Sequence, residues 1–339
     1  MKALQILRPG EMALADIPRP AITEPTQVLI RVHAAGICGS DIHLYHGRNP
    51  YAKYPRIPGH EIVGVLAEVG SAVTGFAPGD RVVIEPIHTC GHCYPCRIGR
   101  PNVCERLSVY GCHVDGGFAE YMLAYASDIH HIPAQVSDAQ AAMIEPFTIG
   151  AQAMYRTGAQ PGETCLIHGA GPIGCIALVL AKHLGLHCLV SEPSAARRQM
   201  ASQFGADLCI DPTQEVLSSV VSAFTQGRGM NIILDAAGIP ALVRQSIPLL
   251  SAAGRFLEFG YGFGSAEVDF DLMNKFELTV MGLRHQTHRF APIIAAFPDF
   301  LPQVDAMQTH HFPLEAYAEA FRTFEDKRSG ACKVVFTLD

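Results

Sequence analysis

A two-part α/β fold is the expectation for this chain, and three observations carry it. Its 339 residues exceed what one ordinary core accommodates, so two domains are expected. Up to about Glu145 the chain is rich in glycine, proline and short β-like runs, which suits a compact, mostly β domain with long loops. From Thr164 onward, short apolar strands alternate with helical segments, the pattern of a parallel sheet wrapped by helices.

In the first part, Val28–Val32, Ile62–Val69 and Arg81–Ile84 read as strands, punctuated by Gly70, Gly75, Pro78 and Gly79. In the second, Thr164–His168 reads as a strand, Pro172–Leu184 has helical spacing, and His187–Ser191 reads as the next strand. Ser194–Phe204, Asp207–Ile210, Thr213–Thr225, Ile232–Asp235, Pro240–Leu250 and Arg255–Phe259 continue the alternation, and Glu277–Leu283 closes it. After His288 the alternation is lost, and this tail is expected to return to the first domain.

The formal charge of −7 argues against non-specific binding to nucleic acid or to an anionic membrane. No apolar run is long enough to span a bilayer, since Lys182 and His183 interrupt the longest candidate. The opening residues, a short apolar run followed by Arg8, Pro9 and Gly10, are not expected to act as a signal peptide. Of eleven cysteines, four cluster in one loop, while Cys165, Cys175, Cys188 and Cys209 fall in apolar strand and helix patterns. That distribution points to free thiols and a reducing cytoplasm rather than a disulfide framework.

The cluster, Cys90, Cys93, Cys96 and Cys104, delivers four thiolates from one short segment. That set suits a closed tetrahedral zinc site; iron is the alternative for four thiolates. Downstream, Gly169-Ala170-Gly171-Pro172-Ile173-Gly174 is a G-x-G-x-x-G that follows an apolar strand and opens a helix. The first glycine permits a tight turn, the second lets the backbone approach a pyrophosphate, and the third lets helix and strand pack closely. The phosphates would face amides at a helix N-terminus. Glu192, at the end of the second strand, fits a ribose-binding acid and favours NAD over NADP; it also fits a solvated acid at a helix start. Arg197 and Arg198, close behind, weaken the NAD preference. A second metal constellation is Cys38, His60, Glu61 and Glu145: thiolate, imidazole and carboxylate, with room for water or substrate, distinguish a catalytic zinc from a closed structural one.

These segments resemble the zinc-dependent medium-chain alcohol dehydrogenases, in the branch of sorbitol, threonine and sugar-acid dehydrogenases. G-I-C-G-S-D-I-H (36–43), P-G-H-E (58–61), the cysteine loop, D-G-G-F-A-E-Y (115–121) and G-A-G-P-I-G (169–174) fall in that family's order. R-N-P-Y-A-K-Y-P-R-I-P-G-H-E (48–61) is closest to the bacterial starvation-sensing subgroup. The resemblance implies a GroES-like catalytic domain over 1–148 with a structural-zinc lobe, a Rossmann NAD-binding domain over 149–286, and a return of 287–339 to the first. It places the site in the cleft between them. It implies Cys38 and His60 as catalytic-zinc ligands, with Glu61 or Glu145 as the carboxylate, and the four loop cysteines as structural ligands, hence two zinc ions per chain. It also implies a homodimer or homotetramer.

The same resemblance makes Ser40 and His43 a proton relay, a role suited to a hydroxyl near zinc and an imidazole near solvent. Ser40 as an N-cap and His43 as a surface residue are the alternatives. The expected reaction moves hydride from a secondary alcohol of a polyol or sugar acid to NAD, with Tyr45, Arg48, Phe118, Phe147 and Arg284 as pocket candidates; Arg284 suits cofactor phosphate equally. Rival readings are a threonine-type or other short-alcohol dehydrogenase, a zinc-ribbon nucleic-acid binder and a non-catalytic zinc/NAD-binding regulatory protein.

Overall fold

The computed structural model describes residues 1–260 and 264–338. Contacts divide the chain into two compact units, Met1–Pro146 with Thr287 onward, and Phe147–Gln286.

The first unit is built on a seven-stranded sheet. Its central strand, Gln27–Gly36, pairs antiparallel with Glu61–Val69 and with Tyr121–Tyr125, and its last residues also pair with Lys333–Thr337. Arg81–Ile84 and Ile129–His131 extend one side of the sheet; Gln308–Pro313 closes the other by pairing parallel with Lys333–Thr337. Apolar side chains of Val28, Ile30, Val32, Ile62, Leu66, Val82, Ile84, Phe118 and Phe336 form the core, with Phe118 edge-on to Phe336 at 5.1 Å. Both terminal strands lie beyond the point where the sequence pattern loses its alternation. Gln308–Pro313 is mixed polar and half exposed, so it carries no clear strand signal.

The second unit carries a six-stranded sheet whose neighbours are all parallel. In chain order of its strands the arrangement is 3-2-1-4-5-6: Leu208–Ile210, His187–Ser191, Thr164–His168, Met230–Asp235, Leu250–Glu258 and Thr279–Gly282. That is the doubly wound order, with a switch point between the first and fourth strands. Near-continuous burial explains why the inner strands read as short apolar runs: Leu166, Leu189, Ile233 and Phe256 are fully buried in one core.

Element ends shift where local chemistry intervenes. The helix expected from Thr213 begins at Leu217, because Asp211 accepts from the amide and hydroxyl of Thr213 and makes a turn there. The helix from Pro240 ends at Ser246 and tightens over Ile247–Leu249, where Pro248 has no amide to continue it. Glu277 is not in the last strand; its φ of 51° makes it the left-handed cap of the preceding helix, and the strand starts at Thr279.

Candidate functional site

Sheet register assembles the first constellation. Gly36, the last residue of the central strand, lies opposite Glu61, the first residue of the next. Cys38 follows two residues after Gly36 and His60 precedes Glu61, so both chain ends arrive at one point. Donor atoms of Cys38, His60 and Glu61 all lie within 4.8 Å of one another. Gly36 is required there, since a Cβ would fall 1.9 Å from Glu61 Oε2. Thiolate, imidazole and carboxylate at this spacing fit a zinc ion with one position left for a further ligand.

Cys38 caps the helix Gly39–Tyr45, reciprocally with Asp41. Ser40 therefore sits inside the helix, which removes the N-cap reading; its Oγ lies 3.4 Å from His60 Nε2. Asp41, 2% exposed, accepts from the amides of Cys38 at 2.9 Å and Gly59 at 3.2 Å, and its Oδ1 lies 3.6 Å from His60 Nδ1. The carboxylate thereby orients the ring, with Nε2 on the side of Ser40. His43 is half-buried; desolvation, with Arg48 and His46 adding repulsion, lowers its pKa and keeps it neutral and basic near pH 7.

Lys333, which the sequence motifs did not single out, heads a strand from the tail of the chain and ion-pairs with Glu61 while both are buried. Desolvation opposes its charge, yet Glu61, Cys38 and Glu145 hold its pKa above the ordinary lysine value. His60 behaves alike: burial opposes its protonation, but Asp41 and Cys38 raise its pKa well above normal. This pocket attracts positive charge, as a cation site must. Glu145 is nearby and buried, with burial pushing its carboxyl up to about 7, but its carboxylate is not among the three clustered donors. The thiol of Cys112 feels the charges of His60 and Asp41, and accepts a hydrogen bond from Asn49 Nδ2 at 3.3 Å.

The four loop cysteines also converge. Sγ–Sγ separations are 3.4 Å for Cys93–Cys96, 3.7 Å for Cys93–Cys104 and 3.5 Å for Cys90–Cys104. A tetrahedron with Zn–S bonds of ~2.3 Å requires ~3.8 Å. Backbone amides, His92 first, pull Cys90 down to about 6, while desolvation and the thiols of Cys93 and Cys104 push Cys96 up to about 12. Four cysteine sulfurs this close fit a divalent cation between them. All eleven cysteines are free thiols.

In the second unit the G-x-G-x-x-G forms a turn into the helix Pro172–His183, with Gly171 as N-cap and Pro172 at the first turn. Gly169 has a φ of 88°, and a Cβ on Gly174 would fall 2.0 Å from the carbonyl oxygen of Gly169. A Cβ on Gly171 would meet no protein atom within 4 Å, so the space over the helix start is open for a pyrophosphate. Ile173 follows Pro172 in the first turn of the helix. Glu192 is buried rather than a solvated helix-start acid. Its carboxylate accepts from Ala170 N and Ser194 N, both at 2.8 Å, and so braces this turn. Arg198 is tied to the carbonyls of Glu192 and Pro193 and to Asp211, whereas Arg197 is half-buried and Arg284 exposed.

Three pocket candidates are packing residues instead. Phe118 and Phe147 are fully buried, and Tyr45 donates its hydroxyl to the Gly10 carbonyl with its ring edge-on to Phe321. Aromatic side chains in a glycine-rich motif look alike in sequence whether they line a pocket or fill a core. Arg48 stays exposed.

Known proteins resemble the chain along its whole length. Residues 24–134 match the family described as alcohol dehydrogenase GroES-like domain, and residues 172–299 match the family described as zinc-binding dehydrogenase. The chain is 37% identical over 343 residues to the starvation-sensing protein RspB of Escherichia coli K12, covering 100% of this chain and 99% of that one. It is 35% identical to L-galactonate-5-dehydrogenase of the same organism, over 90% and 89% of the two chains. The crystal structure of a short chain alcohol dehydrogenase (rspB) from E. coli CFT073 with NADH superposes at a TM-score of 0.94, with 35% identity and 99% of each chain covered. No helix among the described residues is long and apolar enough to cross a membrane. With two family models and relatives that span its length, the chain belongs to the zinc-type alcohol dehydrogenase family, oxidoreductases that act on CH–OH groups with NAD(P).

Proposed function

We propose that this protein oxidises a secondary alcohol of a polyhydroxy compound, a sugar acid in preference to a neutral polyol. The observation that carries the reading is the Cys38–His60–Glu61 donor set with the Ser40 hydroxyl beside it. Cys38, His60 and Glu61 would hold the catalytic zinc, with Glu145 in reserve, and Cys90, Cys93, Cys96 and Cys104 the structural one. Gly169, Gly171, Pro172, Ile173, Gly174 and Glu192 would seat the dinucleotide, NAD in preference to NADP, with Arg197 and Arg284 at its edge. When bound, zinc supplies Lewis acidity toward an alcohol oxygen and NAD(P) supplies the hydride acceptor.

The remaining work belongs to the chain. Asp41 orients His60, and Lys333 balances the Glu61 charge. Ser40 takes the proton leaving the substrate hydroxyl and passes it to His43, whose lowered pKa leaves it ready to accept and release toward solvent.

Preference for an acid is supported by charge. From Ile42 to His60 there is no Asp or Glu, while Arg48, Lys53 and Arg56 are present, in a chain whose formal total is −7. Arg56 is paired with Asp115 at 2.8 Å, leaving Arg48 and Lys53 to attract an anion. A panel of aldonates, uronates, hexitols and threonine, followed by NADH formation on the zinc-loaded enzyme, tests this. Aldonates or uronates are expected to give the highest kcat/KM; turnover confined to hexitols or threonine would refute it. A homodimer or homotetramer is expected by light scattering.

A further inference from the structure

Three ionisable side chains stand abreast at the carboxyl ends of neighbouring strands in the second unit. His168 ends the first strand and is in register with Asp235, which ends the fourth; Asp235 is in register with Glu258, which ends the fifth. The first two strands of this row flank the switch point of the sheet, where such folds bind their ligands. His168 and Asp235 are fully buried and Glu258 is half-buried. None of the three is a residue to which the reaction above gives a role.

Their hydrogen bonds leave a specific deficit. Asp235 Oδ1 accepts from Ala237 N at 2.8 Å and Gly238 N at 3.1 Å, and His168 Nε2 lies 2.8 Å from Ser246 Oγ. Asp235 Oδ2 and Glu258 Oε1, both buried, have no donor among the described residues. Two facing carboxylates without a donor would be costly, since each buried oxygen lacks a partner and the like charges repel. One proton placed between them satisfies both oxygens at once. His168 does not compensate the charge: burial holds its pKa at about 4, so the ring is neutral. On the other side, the register partner of Glu258 is Gly282, which carries no charge. Burial and then the Asp235 charge push Glu258 up to about 8, as a retained proton requires.

The pair is tied to the nucleotide turn by close packing. The 236–238 segment, held by Asp235 Oδ1, lies against the fingerprint glycines: a Cβ on Gly169 would sit 3.5 Å from Ala237 N, and one on Gly174 would sit 3.4 Å from Ala236 Cβ. Gly260, two residues past Glu258, approaches Gly238 so closely that a Cβ would fall 2.3 Å from its amide nitrogen. Movement of either carboxyl is therefore transmitted to the turn that faces the dinucleotide.

We propose that Glu258 keeps a proton at neutral pH and donates it to the Asp235 carboxylate, the two acting as a positioning pair for the 236–238 turn, so that loss of this proton weakens dinucleotide binding. The proposal rests on the dinucleotide reading of Gly169–Gly174. Cofactor-free melting reads the proton separately from that reading. In an unfolded chain Glu258 releases its proton near 4.5; the folded chain keeps it until about 8. Between those values the folded state binds the extra proton, so its contribution to stability falls as pH rises.

The test uses the full chain. NADH binding, followed by fluorescence at pH 6.5 and 9.0, is expected to weaken about five-fold in the wild type, the part of one pKa unit of coupling that is reached at pH 9.0. Glu258→Gln, whose amide still donates to Asp235 but does not titrate, is expected to bind equally at both pH values. Glu258→Ala, with no donor, should bind weakly at both. Without cofactor, the Tm of Glu258→Gln should fall less than that of the wild type between pH 6 and pH 9. A wild-type affinity that does not change with pH, or an equal pH response in Glu258→Gln, overturns the proposal. If Glu258→Gln fails to fold, the wild-type binding profile alone decides. Absence of NADH and NADPH binding at any pH overturns the dinucleotide reading with it, even where the melting shows a retained proton.

Discussion

Ser40 and Lys333 illustrate how single side chains define this site. Ser40 lies one residue past the start of its helix, where its hydroxyl faces His60 rather than the helix's own free amides. Ser40→Ala is expected to lower kcat by about 10²-fold with zinc content unchanged, the magnitude of a lost proton-transfer group. Unchanged turnover from pH 6 to pH 10 would rule out a relay through this hydroxyl. Lys333→Met removes the partner of a buried carboxylate. Leaving Glu61 uncompensated should destabilise the zinc-free chain by about 3–5 kcal/mol, and zinc should restore most of it by supplying positive charge at the same place. Denaturant titrations with and without zinc check this; equal destabilisation in both would mean that Lys333 acts by packing alone. Cys38 and His60 were legible from residue type and motif, whereas the motifs left Glu61 and Glu145 as equal candidates for the carboxylate. Asp41 lies inside the same motif, but its role is not legible there, because it depends on where the Gly59 and His60 backbone folds back. Nothing local marks Lys333, 272 positions beyond Glu61 in the chain.

At the scale of elements, the cysteine loop is anchored at Asn102, which accepts from the Thr287 hydroxyl at 2.7 Å, but its first ten residues have little apolar packing. Gly91, His92, Tyr94 and Arg97–Arg100 are exposed, and its helix spans only Tyr94–Arg97. Such a segment depends on its metal for order. Chelation, or Cys96→Ser, is expected to open trypsin cleavage at Arg97 while the zinc-loaded wild type resists; an equal cleavage rate would show the loop to be ordered without metal. The inner strands of the parallel sheet were legible because they are buried on both faces and read as apolar runs. Thr164–His168 and His187–Ser191 match the expected limits to the residue. Gln308–Pro313 was not legible: it alternates with polar side chains at an edge, and its pairing depends on Lys333–Thr337 meeting Gln27–Gly36 from the far end of the chain.

For the whole molecule, the two units hold different chemistry. Both thiol-containing metal constellations belong to the first, and the glycine fingerprint to the second. Calorimetry is expected to show two responses. NADH at about 100 times its Kd should stabilise the second unit by about 2.7 kcal/mol, and zinc removal should lower the transition of the first. A single transition that moves as one under both treatments would contradict this division. The sequence alone determined the class of chemistry, because four cysteines in fifteen residues and a glycine turn after an apolar strand are local signals. Tertiary structure alone decided which carboxylate joins Cys38 and His60, which lysine balances it, and that Asp235 and Glu258 face each other. Those are contacts between distant segments, set by strand register and sheet order, and no spacing along the chain encodes them.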